Sequence, residues 1–118
     1  MLSPGVVVDA TSVALSSSLL PDGQVMSGAP AAGSVDFGSI GGCEVGVWEM
    51  TPGVATDTEV DEVFVVLAGR GSVAFVDPEL PTIQLAPGAV VRLTAGMRTV
   101  WTVTETLRKV YLAPTTVE

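Results

Sequence analysis

The stretch Glu59–Ala74, EVDEVFVVLAGRGSVA, restricts the fold of this chain more than any other. Apart from Asp61, Glu62 and Leu67, Val60 to Leu67 is β-branched or aromatic, a composition that suits a covered, pleated strand. A second apolar run, Gly71 to Phe75, follows the break Ala68-Gly69-Arg70-Gly71, which predicts a β-hairpin turning at those four residues. Period-two alternation puts Glu62 on the face of Phe64 and Val66. A carboxylate on an apolar face needs a partner, a shifted pKa or access to solvent.

The rest of the chain repeats the pattern of short strands and turns. Gly5 to Ala10 reads as an edge strand, and Leu20 to Gly33 as mostly loop with a turn at Pro21-Asp22-Gly23. Val35 to Ile40 is a weak strand broken by Gly41-Gly42, and Cys43 to Met50 alternates up to the turn at Thr51-Pro52-Gly53. Beyond the expected hairpin, Asp77-Pro78 and Pro87-Gly88 mark turns. Thr82–Leu85, Ala89–Leu93, Thr99–Thr104 and Leu107–Ala113 mark strands. No helix of three turns is signalled and there is no internal repeat. The spacing predicts an all-β sandwich or barrel.

Composition narrows the class of function. At 118 residues the chain is one domain, able to bury a core without disulfides. Thirteen acidic against five basic residues give a net charge of −8, with no basic cluster to meet phosphates, so no nucleic-acid and no membrane partner is expected. Cys43 is the single cysteine, no apolar run reaches transmembrane length, and the N-terminal residues lack a basic n-region; a soluble, cytoplasmic protein is expected. With 47% hydrophobic and 15% charged residues, apolar surface is left over, and a homodimer is the expected cover.

At this point the residues resemble the cupin superfamily, a small antiparallel jelly-roll β-barrel. Glu62 and Gly69 keep the spacing of the first cupin motif's Glu and Gly, and Gly88 and Gly96 match glycines of the second. Thr94, Thr99 and Val103 stand where the second motif has Pro, His and Asn. Within that superfamily the chain is similar to small cupins related to ureidoglycine aminohydrolase, through Gly46-Val47-Trp48-Glu49, Pro52-Gly53, Asp61-Glu62, Trp101-Thr102-Val103 and Arg108-Lys109-Val110-Tyr111. The match runs from Gly42 to Ala113. Residues 1–33 are read as an N-terminal extension with an edge strand and loop, and residues 34–118 as the barrel.

The resemblance implies a metal held by three imidazoles and a carboxylate, yet the chain contains no histidine. Only the carboxylate position, Glu62, survives; the imidazole pair falls on Thr56 and Thr58, or on Ala55 and Asp57. Hydroxyls replace imidazole poorly on transition metals, so no metal and no cofactor is expected. A carboxylate cluster of Asp57, Glu59, Asp61 and Glu49 would suit only hard cations, and these residues read mainly as solvated strand ends.

Glu62 itself reads either as a pocket carboxylate or as a structural one held by the hydroxyls of Thr56, Thr58 or Thr99. Trp101, on the face of Thr99, would point inward with Phe64, either lining an apolar cavity or filling it. The candidate ligand-binding set is therefore Glu62, Phe64, Thr56, Thr58, Thr99 and Trp101. Trp48 and Tyr111 read as core or interface. The function this implies is a metal-independent cupin that binds a small molecule or serves as a dimeric structural module. The alternative is a hydrolase or isomerase on a small polar metabolite, with Glu62 as acid/base.

Overall fold

The computed structural model describes residues 2–115. Nine strands account for most of them: β1 (Ser17–Leu19), β2 (Val25–Ser27), β3 (Ala31–Ile40), β4 (Cys43–Met50), β5 (Gly53–Thr58), β6 (Glu62–Asp77), β7 (Leu80–Leu85), β8 (Val90–Leu93) and β9 (Arg98–Pro114). All pairs are antiparallel, as expected of the jelly-roll cupin barrel. Among the described residues no helix is long and apolar enough to cross a membrane.

Two long strands organise the sheet. β9 hydrogen-bonds to β6 along nearly its whole length, and on its other edge it pairs first with β5 and then with β4. β6 takes β8 and then β7 on its own far edge. β3 extends the sheet from β4, with β1 beyond it, and β2 closes onto β5. The sheet curls about a core of Met50, Ala55, Phe64, Val66, Val73, Leu85, Leu93, Trp101, Val103 and Leu107. Phe64, Leu93 and Leu107 are fully buried, and each such side chain contributes about 1.5–3 kcal/mol of burial.

The expected hairpin turn at Ala68–Gly71 is not there. β6 continues through it to Asp77, and the chain reverses only at Pro78-Glu79. The four residues form a bend at which the register against β9 slips repeatedly between Val66 and Gly71. Gly69 sits at φ +94, and a Cβ on it would collide with the Thr106 carbonyl oxygen of β9; a Cβ on Gly71 would collide with the Thr102 carbonyl. The glycines thus let two strands cross closely while bending. Across the bend the inward parity changes, from Glu62, Phe64 and Val66 to Val73.

Thr99–Thr104 and Leu107–Ala113 likewise merge into the single strand β9. At the N-terminus, residues 5–10 form no strand, whereas part of the expected loop does: β2 pairs with β5, and the first residues of β3 pair with β1, which lies just before that loop. The Pro21-Asp22-Gly23 turn is present, closed by the Gln24 amide on the Pro21 carbonyl at 2.9 Å. Arg108 fastens the N-terminal segment to the sheet's outer face: its Nε donates to Glu49 at 2.9 Å, and its Nη1 to the carbonyls of Ala10 and Val13 at 3.1 and 2.9 Å.

Candidate functional site

Inward-facing residues of β4, β5, β6 and β9 enclose a cavity of about 280 Å3, walled by Trp48, Met50, Ala55, Trp101 and Tyr111 and carrying the charged groups Glu44, Asp57, Glu59, Glu62 and Lys109. Its centre is Lys109, the only lysine in the chain. β9 register places it opposite Trp48 of β4 and Val66 of β6. Lys109 is 5% exposed, and Nζ donates to Glu62 Oε2 at 2.6 Å. Three rings surround the ammonium, with centroids at 4.2 Å (Phe64), 4.6 Å (Trp48) and 4.8 Å (Trp101). Trp101 packs tilted against both Trp48 and Phe64, with centroid separations of 5.6 and 5.7 Å. The carboxylate and the aromatic faces together replace the water a buried ammonium loses.

A second carboxylate is set just before β6. Glu59 is 6% exposed, and its Oε2 accepts from Thr99 Oγ1 at 2.6 Å and from Trp101 Nε1 at 2.9 Å. Its backbone is pinned too, the amide to the Met97 carbonyl and the carbonyl to the Gly96 amide. Two side-chain donors on one oxygen fix the orientation of the group. Asp57, two residues earlier on the inward side of β5, lies at the cavity edge. Although the residue as a whole is exposed, desolvation of its carboxyl and then the neighbouring charge of Glu59 push its pKa up to about 6. Burial, reinforced by Asp36 and Glu44, raises the Tyr111 phenol.

The six candidates from the sequence fall into three groups. Glu62, Trp101 and Thr56 line the cavity, while Phe64 lies fully buried beneath Lys109. Thr99 does not line the cavity, but its Oγ1 bonds Glu59 Oε2 at 2.6 Å and lies 3.4 Å from the Asp57 carbonyl oxygen. Thr58 faces a separate depression of about 450 Å3 with Arg98, Val76 and one side of Asp57. None of the three threonine hydroxyls touches Glu62: Thr56 Oγ1 bonds the Gln24 carbonyl at 3.3 Å, and the partner of Glu62 is Lys109. Glu59, read from sequence as a solvated strand end, is buried, and Trp48 is a cavity wall.

The residues do not fit the metal that the resemblance to cupins implies. Glu62 is engaged by an ammonium, and among the described residues no three or more His, Cys, Asp or Glu side chains are grouped to hold an ion.

A family model for the EutQ-like cupin domain matches residues 38–111. No protein of curated function matches the sequence. Among solved structures, the chain is similar to the Clostridium difficile EutQ protein (TM-score 0.62, 16% identity, 72% of this chain and 68% of that one). It is also similar to a Rhizobium leguminosarum bv. viciae protein of unknown function (TM-score 0.63, 25% identity, 72% and 82%). A Pseudomonas syringae pv. tomato protein of unknown function aligns with 89% of this chain and 46% of its own length, at TM-score 0.73 and 22% identity.

Proposed function

The chain belongs to the EutQ-like cupin domain family, and from that premise we propose that it is a metal-independent, small-molecule-binding cupin acting as a homodimer. The observation that carries this reading is the Lys109 ammonium, bound to Glu62 at 2.6 Å inside three aromatic rings. A covalently tethered cation satisfies the one surviving cupin ligand position. The remaining cavity, about 280 Å3 with apolar walls and a few converging polar groups, has the character of a site for a small metabolite. Kinship with the ureidoglycine aminohydrolase group is part of the proposal. Its support is that two of the shared segments lie side by side, Trp48 opposite Lys109 and Glu49 opposite Arg108.

One observation favours a second, enzymatic reading, a hydrolase or isomerase. Glu62, the acid/base expected from sequence, is tied to Lys109, but Asp57, with its pKa pushed to about 6, can exchange a proton near neutral pH at the cavity edge.

The chain's two tryptophans, Trp48 and Trp101, both line the cavity, so intrinsic fluorescence reports occupancy. Protein dialysed against a weak chelator should contain no stoichiometric Zn, Fe, Mn or Ni and should still give saturable fluorescence changes with small metabolites. About one equivalent of such a metal per chain, lost together with binding on stronger chelation, sinks the reading.

A further inference from the structure

The charge of the cavity is lopsided: Glu44, Asp57, Glu59 and Glu62 face a single ammonium. That ammonium is already committed to Glu62 and to the rings of Trp48, Phe64 and Trp101, and is buried among them. It has little to offer an incoming anion, which would also meet the uncompensated carboxylates.

The carboxylates, by contrast, are only half used. Both side-chain hydrogen bonds of Glu59 fall on Oε2, and among the described residues Oε1 receives none. No fully buried side-chain nitrogen or oxygen among the described residues lacks a partner, so this oxygen is not sealed in protein. In a residue 6% exposed that lines the cavity, it opens on the cavity. Glu62 repeats the arrangement, with Lys109 on Oε2 and no donor on Oε1. A largely buried carboxylate oxygen with no protein donor is an acceptor held ready for a charged N–H group. The Trp48 ring, in the wall of the same cavity, offers a surface for aliphatic carbons and for positive charge.

We propose that the cavity selects a small organic cation, a primary alkylammonium whose nitrogen donates to Glu59 Oε1 and whose carbon chain lies against Trp48. This rests on the reading of the cavity as a small-molecule site and names the ligand's class. Lys109 then has a second role as a neutralising neighbour that keeps the empty site from excessive self-repulsion. Trp101 and Thr99 are positioning residues, since they hold Glu59 by its other oxygen.

The test is a tryptophan-fluorescence titration of the full chain at pH 7.5 with three probes of one size: n-butylamine, n-butanol and butyrate. Butylamine should bind about tenfold or more tighter than butanol, the discrimination a charge-assisted hydrogen bond in a largely buried site supplies, and butyrate should not saturate. Glu59→Gln should weaken butylamine about tenfold and leave butanol unchanged. Should Glu59→Gln not fold, Glu44→Gln, which disturbs no hydrogen-bonded group, should still weaken the amine about two- to threefold through the cavity's field. Equal or tighter binding of butanol or butyrate overturns the cation inference while the small-molecule reading stands. No saturable response to any of the three overturns both.

Discussion

Glu62 and Lys109 need each other. A buried pair returns little net stability over an apolar substitute, yet removing one member leaves the other charged and unsolvated. Glu62→Gln and Lys109→Met are each expected to cost about 2–4 kcal/mol, and the double variant less than the sum of the two. Denaturant unfolding of the four proteins measures the coupling; strict additivity would show that the contact carries no energy. Asp57 acts in the opposite direction. Its folded pKa, about 6, lies above the ordinary 3.8, so folding favours its protonated form. That contribution is fully present below pH 3.8 and lost as pH rises through 6. Asp57→Asn should therefore raise Tm relative to the parent at pH 7–8, with the difference closing towards pH 4; a pH-independent difference contradicts it. At this scale the sequence showed Glu62 aimed inward but not what it met. Thr99, Trp101 and Val103 share the inward side of β9 with Leu107, Lys109 and Tyr111, all at odd numbers. Reading two strands with a break between them stopped that alternation before it reached Lys109. Glu59 was obscured differently: it lies outside any strand, so no alternation points it, and long-range hydrogen bonds, from its backbone to Met97 and Gly96 and from Thr99 and Trp101 to its carboxylate, hold it inward.

The elements β6 and β9 show why one turn in the sequence became a bend. Ala68-Gly69-Arg70-Gly71 has hairpin chemistry, but a hairpin there would detach Glu62–Val66 from β9, to which these residues are paired at Val63–Val66 opposite Leu112–Lys109. Long-range pairing with β9 outweighs local turn propensity, and the glycines serve close approach. Strand existence in Cys43–Met50 and the Gly41-Gly42 break were legible because alternation and glycine agree there with the fold. The β1 and β2 strands were not, because three residues each are held by partners distant in sequence. Gly69→Ala places a Cβ against the Thr106 carbonyl in a left-handed backbone, and is expected to cost about 2–4 kcal/mol. Gly88→Ala, also at positive φ (+95) but with open space around the added Cβ, should cost about 1–2 kcal/mol. Equal losses in chemical denaturation would show that backbone conformation alone, and not the β6–β9 crossing, is responsible.

At the scale of the whole molecule, the outer face of the sheet poses the remaining problem. Val90, Val65, Val110 and Val47 lie in one row across β8, β6, β9 and β4, with Val63, Leu112 and Val45 in the next. At the β4 end the row is covered: Val47 is fully buried, and Arg108 ties residues 10–13 down on this side. At the β8 end Val90 is 68% exposed, and in the neighbouring row Leu112 of β9 is 38% exposed. We propose that a second copy continues the cover there, which is the homodimer expected from the excess of apolar residues. A net charge of −8 on each copy opposes this contact, and salt screens that repulsion with a Debye length of about 8 Å at physiological ionic strength. Sedimentation equilibrium at micromolar protein should therefore give twice the chain mass, with association tightening as salt rises from low to physiological. Val90→Lys introduces a charge on an exposed edge-strand position that tolerates it, so the variant should keep the parent's circular dichroism and become monomeric. A monomeric parent at physiological salt rejects the dimer; a Val90→Lys protein that stays dimeric rejects this face as its contact.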